Sequence, residues 1–141
     1  MCSLIVGVDF DGTVVKYNFP GIGESVGAEQ TLLNLNANGH RIILYTVRSK
    51  MMSAWNHYSG IPFEAGDYLT PAIEWFEERG IKLWAVNENL IQKAFSISPK
   101  PHFDILIDDN ALGCPLVNEY GQRPYVDWKI VRQYFIKHGF I

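Results

Sequence analysis

The sequence predicts an α/β domain built on a mostly parallel sheet, and three observations carry that prediction. Four short apolar runs, "LIVGVDF" (4–10), "RIILYTV" (41–47), "IKLWAV" (81–86) and "FDILIDD" (103–109), are continuous rather than alternating, as in strands covered on both faces. Helical patterns with readable ends separate them. Several runs close on polar side chains, and in open parallel sheets ligands bind beyond the carboxyl ends of the strands.

The elements follow in order. The first strand leads through "VVKYNFPGIG", enough chain for a small flap at about 12–24, into a helix over 25–38 carrying Ala28, Leu32, Leu33, Leu35 and Ala37. Ser25 is its candidate N-cap and Gly39 its terminator. After the second strand, 50–69 is the least regular stretch. It reads as a helix followed by an extended loop that lies over the site or makes a subunit contact. A helix over 71–79 starts from Thr70 as cap with Pro71 in its first turn, and ends at Gly80. A short helix follows Asn87 or Asn89, through Leu90, Ile91, Ala94 and Phe95. The last helix starts at Asp127, turns Ile130, Val131, Tyr134 and Phe135 inward, and stops at Gly139. No repeat, low-complexity tract or linker divides residues 1–141, so a single domain is expected.

Composition narrows the functional classes. Twelve Lys+Arg against 15 Asp+Glu leave a net charge of −3, which gives no basic footprint for duplex nucleic acid. No apolar run approaches the roughly 18 residues of a membrane span. The N-terminus shows neither the basic leader nor the long apolar region of a signal peptide. Cys2 and Cys114 are too few for a disulfide framework or a four-ligand zinc site, and as two lone thiols they fit a reducing, cytoplasmic setting.

The strand ends carry the chemistry. The first closes on Asp9 and Asp11, the second on Thr46 with Arg48 beyond it, and the fourth on Asp108 and Asp109, with Lys100 just before it. Residues two apart on a strand point to the same side, so Asp9 and Asp11 are expected to project together. Two such charges about 4 Å apart would repel by roughly 4 kcal/mol at an effective dielectric of about 20. Asp108 adds to the repulsion. A hard divalent cation with oxygen ligands relieves it, and magnesium is the natural candidate. His40, His57, His102 and His138 lack the close spacing of a zinc site. Gly12 permits a sharp exit from the strand, and the Thr13 hydroxyl can steady the turn. Asp9 beside a cation is placed to attack an electrophile and Asp11 to pass a proton. Thr46 and nearby backbone N–H groups would hold anionic oxygens, and Lys100 would neutralise charge. These parts suit phosphoryl transfer to a carboxylate followed by hydrolysis.

On those residues the sequence resembles the haloacid dehalogenase superfamily. "DFDGT" (9–13) is similar to its first motif, Thr46 in "ILYTVRS" to its second, Lys100 to its third and "ILIDD" (105–109) to its fourth. The resemblance implies a three-layer, Rossmann-like, doubly wound, mostly parallel sheet without a cap domain. It implies Asp9 as a nucleophile that becomes an aspartyl-phosphate, and Asp11 as general acid/base whose backbone carbonyl also faces magnesium. Thr46 would bind the phosphoryl group and Lys100 stabilise the charged intermediate, with Lys82 and Lys93 as competing candidates for the lysine. Asp108 would ligate magnesium directly, and Asp109 through water or by orienting the others. The implied activity is magnesium-dependent hydrolysis of a phosphomonoester, either a phosphorylated small molecule or an exposed phosphate end. Capless members accept large or exposed phosphates or shield the site by oligomerising, and 50–69 could serve a homo-oligomer in that way.

Other readings compete at single residues. Arg48 reads equally as a clamp on a substrate phosphate or as a surface salt bridge. Asn87 and Glu88 read as helix caps ahead of substrate contacts. "GIGESVG" (21–27) reads as a flap turn, since no strand directly precedes it. Trp55, Tyr58, Tyr68 and Trp75 read as core or interface before base-stacking platforms. The alternative from another class is a phospho-acceptor or phospho-ligand binding domain, either receiver-like or a catalytically inactive relative. A receiver's phosphorylated aspartate ends the third strand, where "KLWAVNEN" has none, and a site that only binds has no use for Asp11.

Overall fold

A computed structural model of the chain describes residues 2–53 and 63–141. The apolar runs form strands β1 (Ile5–Val8), β2 (Arg41–Leu44), β3 (Ala85–Val86) and β4 (Ile105–Ile107), all parallel, in the order β3-β2-β1-β4. Among the described residues the helices are α1 (Glu29–Ala37), α2 (Thr70–Glu78) and α3 (Trp128–Lys137). An antiparallel pair, β5 (Leu116–Val117) with β6 (Tyr125–Val126), was not foreseen, because two-residue strands carry no readable periodicity.

The register decides which residues meet. Val6 and Val8 pair with Ile42 and Leu44 on one side and with Ile105 and Ile107 on the other, so these side chains share a face. All three helices bury their apolar residues there: Leu32 and Leu35, Trp75 and Phe76, Val131 and Phe135 join Phe10 in one core. Each such side chain contributes about 1.5–3 kcal/mol by leaving water. The opposite face carries Gly7, Ile43 and Leu106. The Phe103 ring lies across Gly7, where a Cβ would come within 2.7 Å of it, and Tyr45 packs on that ring at 5.0 Å.

The expected α/β class with a parallel sheet is borne out, whereas helices on both faces are not seen among the described residues. Among the described residues the helices lie on one face, and the 87–104 connection reaches the other with a single 3-10 turn, Gln92–Ala94. A full helix does not form there because side chains capture the backbone. Asn89 accepts from the Ile91 N–H (3.1 Å), and buried Gln92 donates to the carbonyls of Ser98 (3.2 Å) and Lys100 (2.8 Å). Pro99 and Pro101 also bar continuation. Leu90, Ile91 and Phe95 are exposed in consequence.

Helix ends show similar substitutions. Helix α1 starts beyond Ala28 with no side-chain cap, because Ser25 instead pairs with Val15 across the flap. Thr70 lies inside α2, and Asp67 does the capping, accepting from the N–H groups of Leu69 (3.0 Å) and Thr70 (2.9 Å). Helix α3 begins as expected, with Asp127 accepting from the Lys129 and Ile130 N–H groups. Val131 and Phe135 are buried, but Ile130 and Tyr134 stay 50% and 47% exposed because β4 is the edge strand of the sheet on that side. No helix among the described residues is long and apolar enough to cross a membrane.

The strand order also locates a crevice. The chain runs from β1 outward to β2 and β3, then returns to place β4 on the other side of β1. The carboxyl ends of β1 and β4 thus flank the switch point, where open parallel sheets bind ligands.

Candidate active site

Three carboxylates meet at that switch point. Asp9, just past β1, and Asp108 and Asp109, just past β4, bring one oxygen each within 4.8 Å of one another. The β1–β4 ladder extends to them through the Asp9 N–H, which donates to the Ile107 carbonyl at 3.0 Å. The buried Thr13 hydroxyl ties the two strand ends together. It lies 3.1 Å from Asp9 Oδ2 and 3.4 Å from Asp109 Oδ1, and accepts from the Asp109 N–H at 3.2 Å. Thr13 does more than steady its turn: it fixes the spacing of two carboxylates a hundred residues apart. Gly12 is needed twice over, with φ at +77° and the Asp109 carboxylate lying where a Cβ would project.

Such a cluster is electrostatically unbalanced. Burial, then the charge of Asp108, pushes Asp9 from its ordinary 3.8 up to about 8. Burial also raises Asp109, against the opposing pull of its hydrogen bond with Asp9 and the charge of Arg123. An all-oxygen donor set with uncompensated negative charge fits a hard divalent cation such as magnesium. Asp9, Asp108 and Asp109 would hold it.

Asp11 does not join the cluster. Its carboxylate turns to Arg48, which donates from Nε to Oδ2 at 2.8 Å and from Nη2 to Oδ1 at 2.7 Å. The remaining guanidinium N–H groups donate to the carbonyls of Gly21 (2.7 Å), Pro20 (3.2 Å) and Tyr68 (3.2 Å), so all five are used. The expectation that Asp9 and Asp11 project together is corrected: the strand ends at Val8, and the chain turns at Phe10, whose ring enters the core. Both expected roles of Arg48 are corrected as well. It is 1% exposed, so it is neither a surface pair nor free for a phosphate, and it fastens the flap and residue 68 to Asp11.

Thr46 and Asn87 complete this edge. The Thr46 hydroxyl accepts from the Arg48 N–H at 3.1 Å, which orients it and leaves its proton to donate. The Thr46 N–H donates to Asn87 Oδ1 at 2.8 Å and is thus not available to an anion. Asn87 is not a helix cap: it holds φ at +56°, a region Asn tolerates, and points its amide back at β2.

Asp9, Asp11, Thr46, Asn87 and Asp108 line one cleft of about 570 Å³, with Tyr17, Phe19, Tyr45, Met52 and Phe63 among its other walls. Met52 and Phe63 bring the two described ends of the 50–69 stretch to the site, where the backbones of Met52 and Gly66 pair at 2.9 Å. Trp55 and Tyr58 lie outside the described residues. Trp75 belongs to the core, and Tyr68 packs on Phe19 and Phe63.

The lysine expectation is not met. Lys100 is exposed on the 96–101 loop and does not line the cleft; exposed Lys82 and Lys93 do not line it either. Among the described residues the cation that does is Arg123, whose guanidinium lies 4.1 Å from the centre of the Tyr17 ring on the flap. Sequence reasoning missed it because "GQRPYV" reads as an ordinary polar turn. Its place comes from β6, where the Val126 N–H donates to the Gly12 carbonyl at 3.0 Å and folds the hairpin onto the first strand's exit loop.

Fold and site together define an α/β protein with a three-carboxylate centre at the switch point of a parallel sheet. No protein-family model matches the chain, and no curated protein matches it. A solved structure of a conserved protein coded by a locus from Bacteroides thetaiotaomicron is similar over 98% of this chain and 93% of its own, at 31% identity and a TM-score of 0.67. The chain belongs to the same family as that protein.

Proposed function

We propose that the protein is a magnesium-dependent phosphomonoester hydrolase of the haloacid dehalogenase type, working through an aspartyl-phosphate on Asp9. The observation that carries this reading is the meeting of Asp9, Asp108 and Asp109 in one cluster, with Asp9 and Asp108 sharing a cleft with Thr46. A bound divalent cation would neutralise the carboxylates and the substrate's phosphoryl oxygens.

An Asp9 oxygen attacks phosphorus, and the bond from phosphorus to the alcohol oxygen breaks as the acyl phosphate forms. Asp11 gives a proton to the leaving oxygen. Water then attacks phosphorus, its proton goes to Asp11, and inorganic phosphate leaves with Asp9 restored. Both Asp11 oxygens accept from Arg48 in this structure, so each proton transfer requires one of those bonds to be given up. The Thr46 hydroxyl donates to a phosphoryl oxygen, and Arg123 supplies the positive charge expected of Lys100. The substrate is a phosphorylated small molecule or an exposed phosphate end, and the two free thiols suit a cytoplasmic setting.

The Arg48–Asp11 pair favours one second reading, a phospho-acceptor domain in which Asp9 is phosphorylated and Asp11 is structural. A phosphate-release screen over many phosphomonoesters, with and without magnesium and beside Asp9→Asn, separates the two. Magnesium-dependent turnover lost in Asp9→Asn supports the hydrolase. A stable acyl phosphate without turnover supports the acceptor, and full activity in Asp9→Asn rejects both.

A further inference from the structure

Away from the carboxylates, the cleft carries four aromatic walls, Tyr17 and Phe19 from the flap, Tyr45 beyond β2, and Phe63, beside the apolar Val47 and Met52. These rings are held by neighbours rather than left free to rotate. Phe19 has the Arg48 guanidinium 5.1 Å from its centre, and meets Phe63 nearly edge-on at 5.2 Å. Tyr68 braces both, at 5.8 Å from Phe19 and 5.5 Å from Phe63. Tyr45 packs against Phe103, and Tyr17 lies under Arg123. Fixed rings lose little freedom when a ligand ring packs on them, and their stacking accepts any flat π-face. A polyhydroxylated alcohol packed on Phe19 and Phe63 would instead set hydroxyl groups against rings that offer them no partner. The volume is in the range of a whole small-molecule site rather than a bare phosphate pocket.

We propose that the substrate of this site carries a flat aromatic ring on its alcohol side, packed against the Phe19–Phe63 wall while its phosphate meets Asp9; this rests on the hydrolase reading. A nucleobase and a simple aryl group share that chemistry, and Arg123 over Tyr17 adds a cation that attracts both ring and phosphate.

The test compares kcat/KM, with magnesium, for nucleoside 5′-monophosphates, an aryl phosphate and glycerol phosphate. The expected result is at least a tenfold preference for ring-bearing esters, with Phe63→Leu lowering that ratio about tenfold, mainly through KM. The better of the two ring-bearing classes identifies the source of the ring. Glycerol phosphate turned over as well as either, or a ratio unmoved by Phe63→Leu, overturns the proposal. The wild-type ratio decides the matter even if the variant does not fold. Calorimetric binding of a nucleoside monophosphate and of glycerol phosphate to Asp9→Asn gives a second readout. Ring-selective binding with no ester hydrolysed by the wild type rejects the hydrolase reading and supports the aromatic site. Turnover without ring selectivity rejects the aromatic site alone.

Discussion

Arg48 grips Asp11 through two parallel hydrogen bonds, 2.8 Å and 2.7 Å long, with its guanidinium fully removed from solvent. A charge buried this deeply is tolerable only because every donor is satisfied, and three of its acceptors are backbone carbonyls from the flap and residue 68. Arg48→Met strands Asp11 and releases the flap, and is expected to cost about 3–5 kcal/mol in urea unfolding. Arg48→Lys restores little of this, since an ammonium cannot reproduce the fork. A loss below about 1 kcal/mol, the level of a surface pair, would show that the pair is not buried in solution.

Asp9 gives the protein a pH signature. In the absence of metal the folded chain keeps the Asp9 proton up to about 8, while the unfolded chain releases it near 3.8. Between those values the native state binds more protons, so stability falls as pH rises across that window and levels off above it. Magnesium competes with the proton, and so is expected to raise Tm at pH 8 and much less at pH 5. Thermal melts across pH, with and without magnesium, check both statements. Asp9→Asn should flatten the slope, and an unchanged slope would assign it to other groups.

Gly12→Ala places a methyl group against the Asp109 carboxylate and forces a side chain into the left-handed region. The backbone term alone is about 1–2 kcal/mol, with displacement of Asp109 added to it. Lower stability and weaker magnesium binding in calorimetry are expected together. Stability lost with magnesium affinity intact would mean that Asp109 is not a ligand.

Arg123 and Lys100 are predicted to differ in kinetics. Arg123→Ala removes the charge that lines the cleft and should lower kcat/KM about ten- to a hundredfold, the worth of a charge-assisted contact. Lys100→Ala, on an exposed loop, should change it by no more than about twofold. The reverse pattern in steady-state rates would return the lysine to the site.

Reading the residues in order recovered what depends on local pattern. The apolar runs gave all four parallel strands, and Asp127 announced the start of α3 because an acceptor before an amphipathic stretch is a local signal. Asp9, Asp108 and Asp109 could be grouped in advance because each ends a buried strand, and parallel strands bring such ends to one edge. Asp67 took the capping role expected of Thr70 because the path of the chain brings its carboxylate to the Leu69 and Thr70 N–H groups. Arg123 was invisible since its position depends on a hairpin of two-residue strands packed on the Gly12 loop.

The sequence by itself determined the strands, their parallel sense and the carboxylates at their tips, because burial patterns and strand-end polarity are properties of contiguous residues. Only the tertiary structure decided how Asp9 and Asp11 divide. Two residues apart in the chain, they belong to different environments, since burying Arg48 demanded a carboxylate and the turn at Phe10 delivered Asp11 to it. Paired groups from distant segments satisfy one another's charge, and no window of sequence contains both partners.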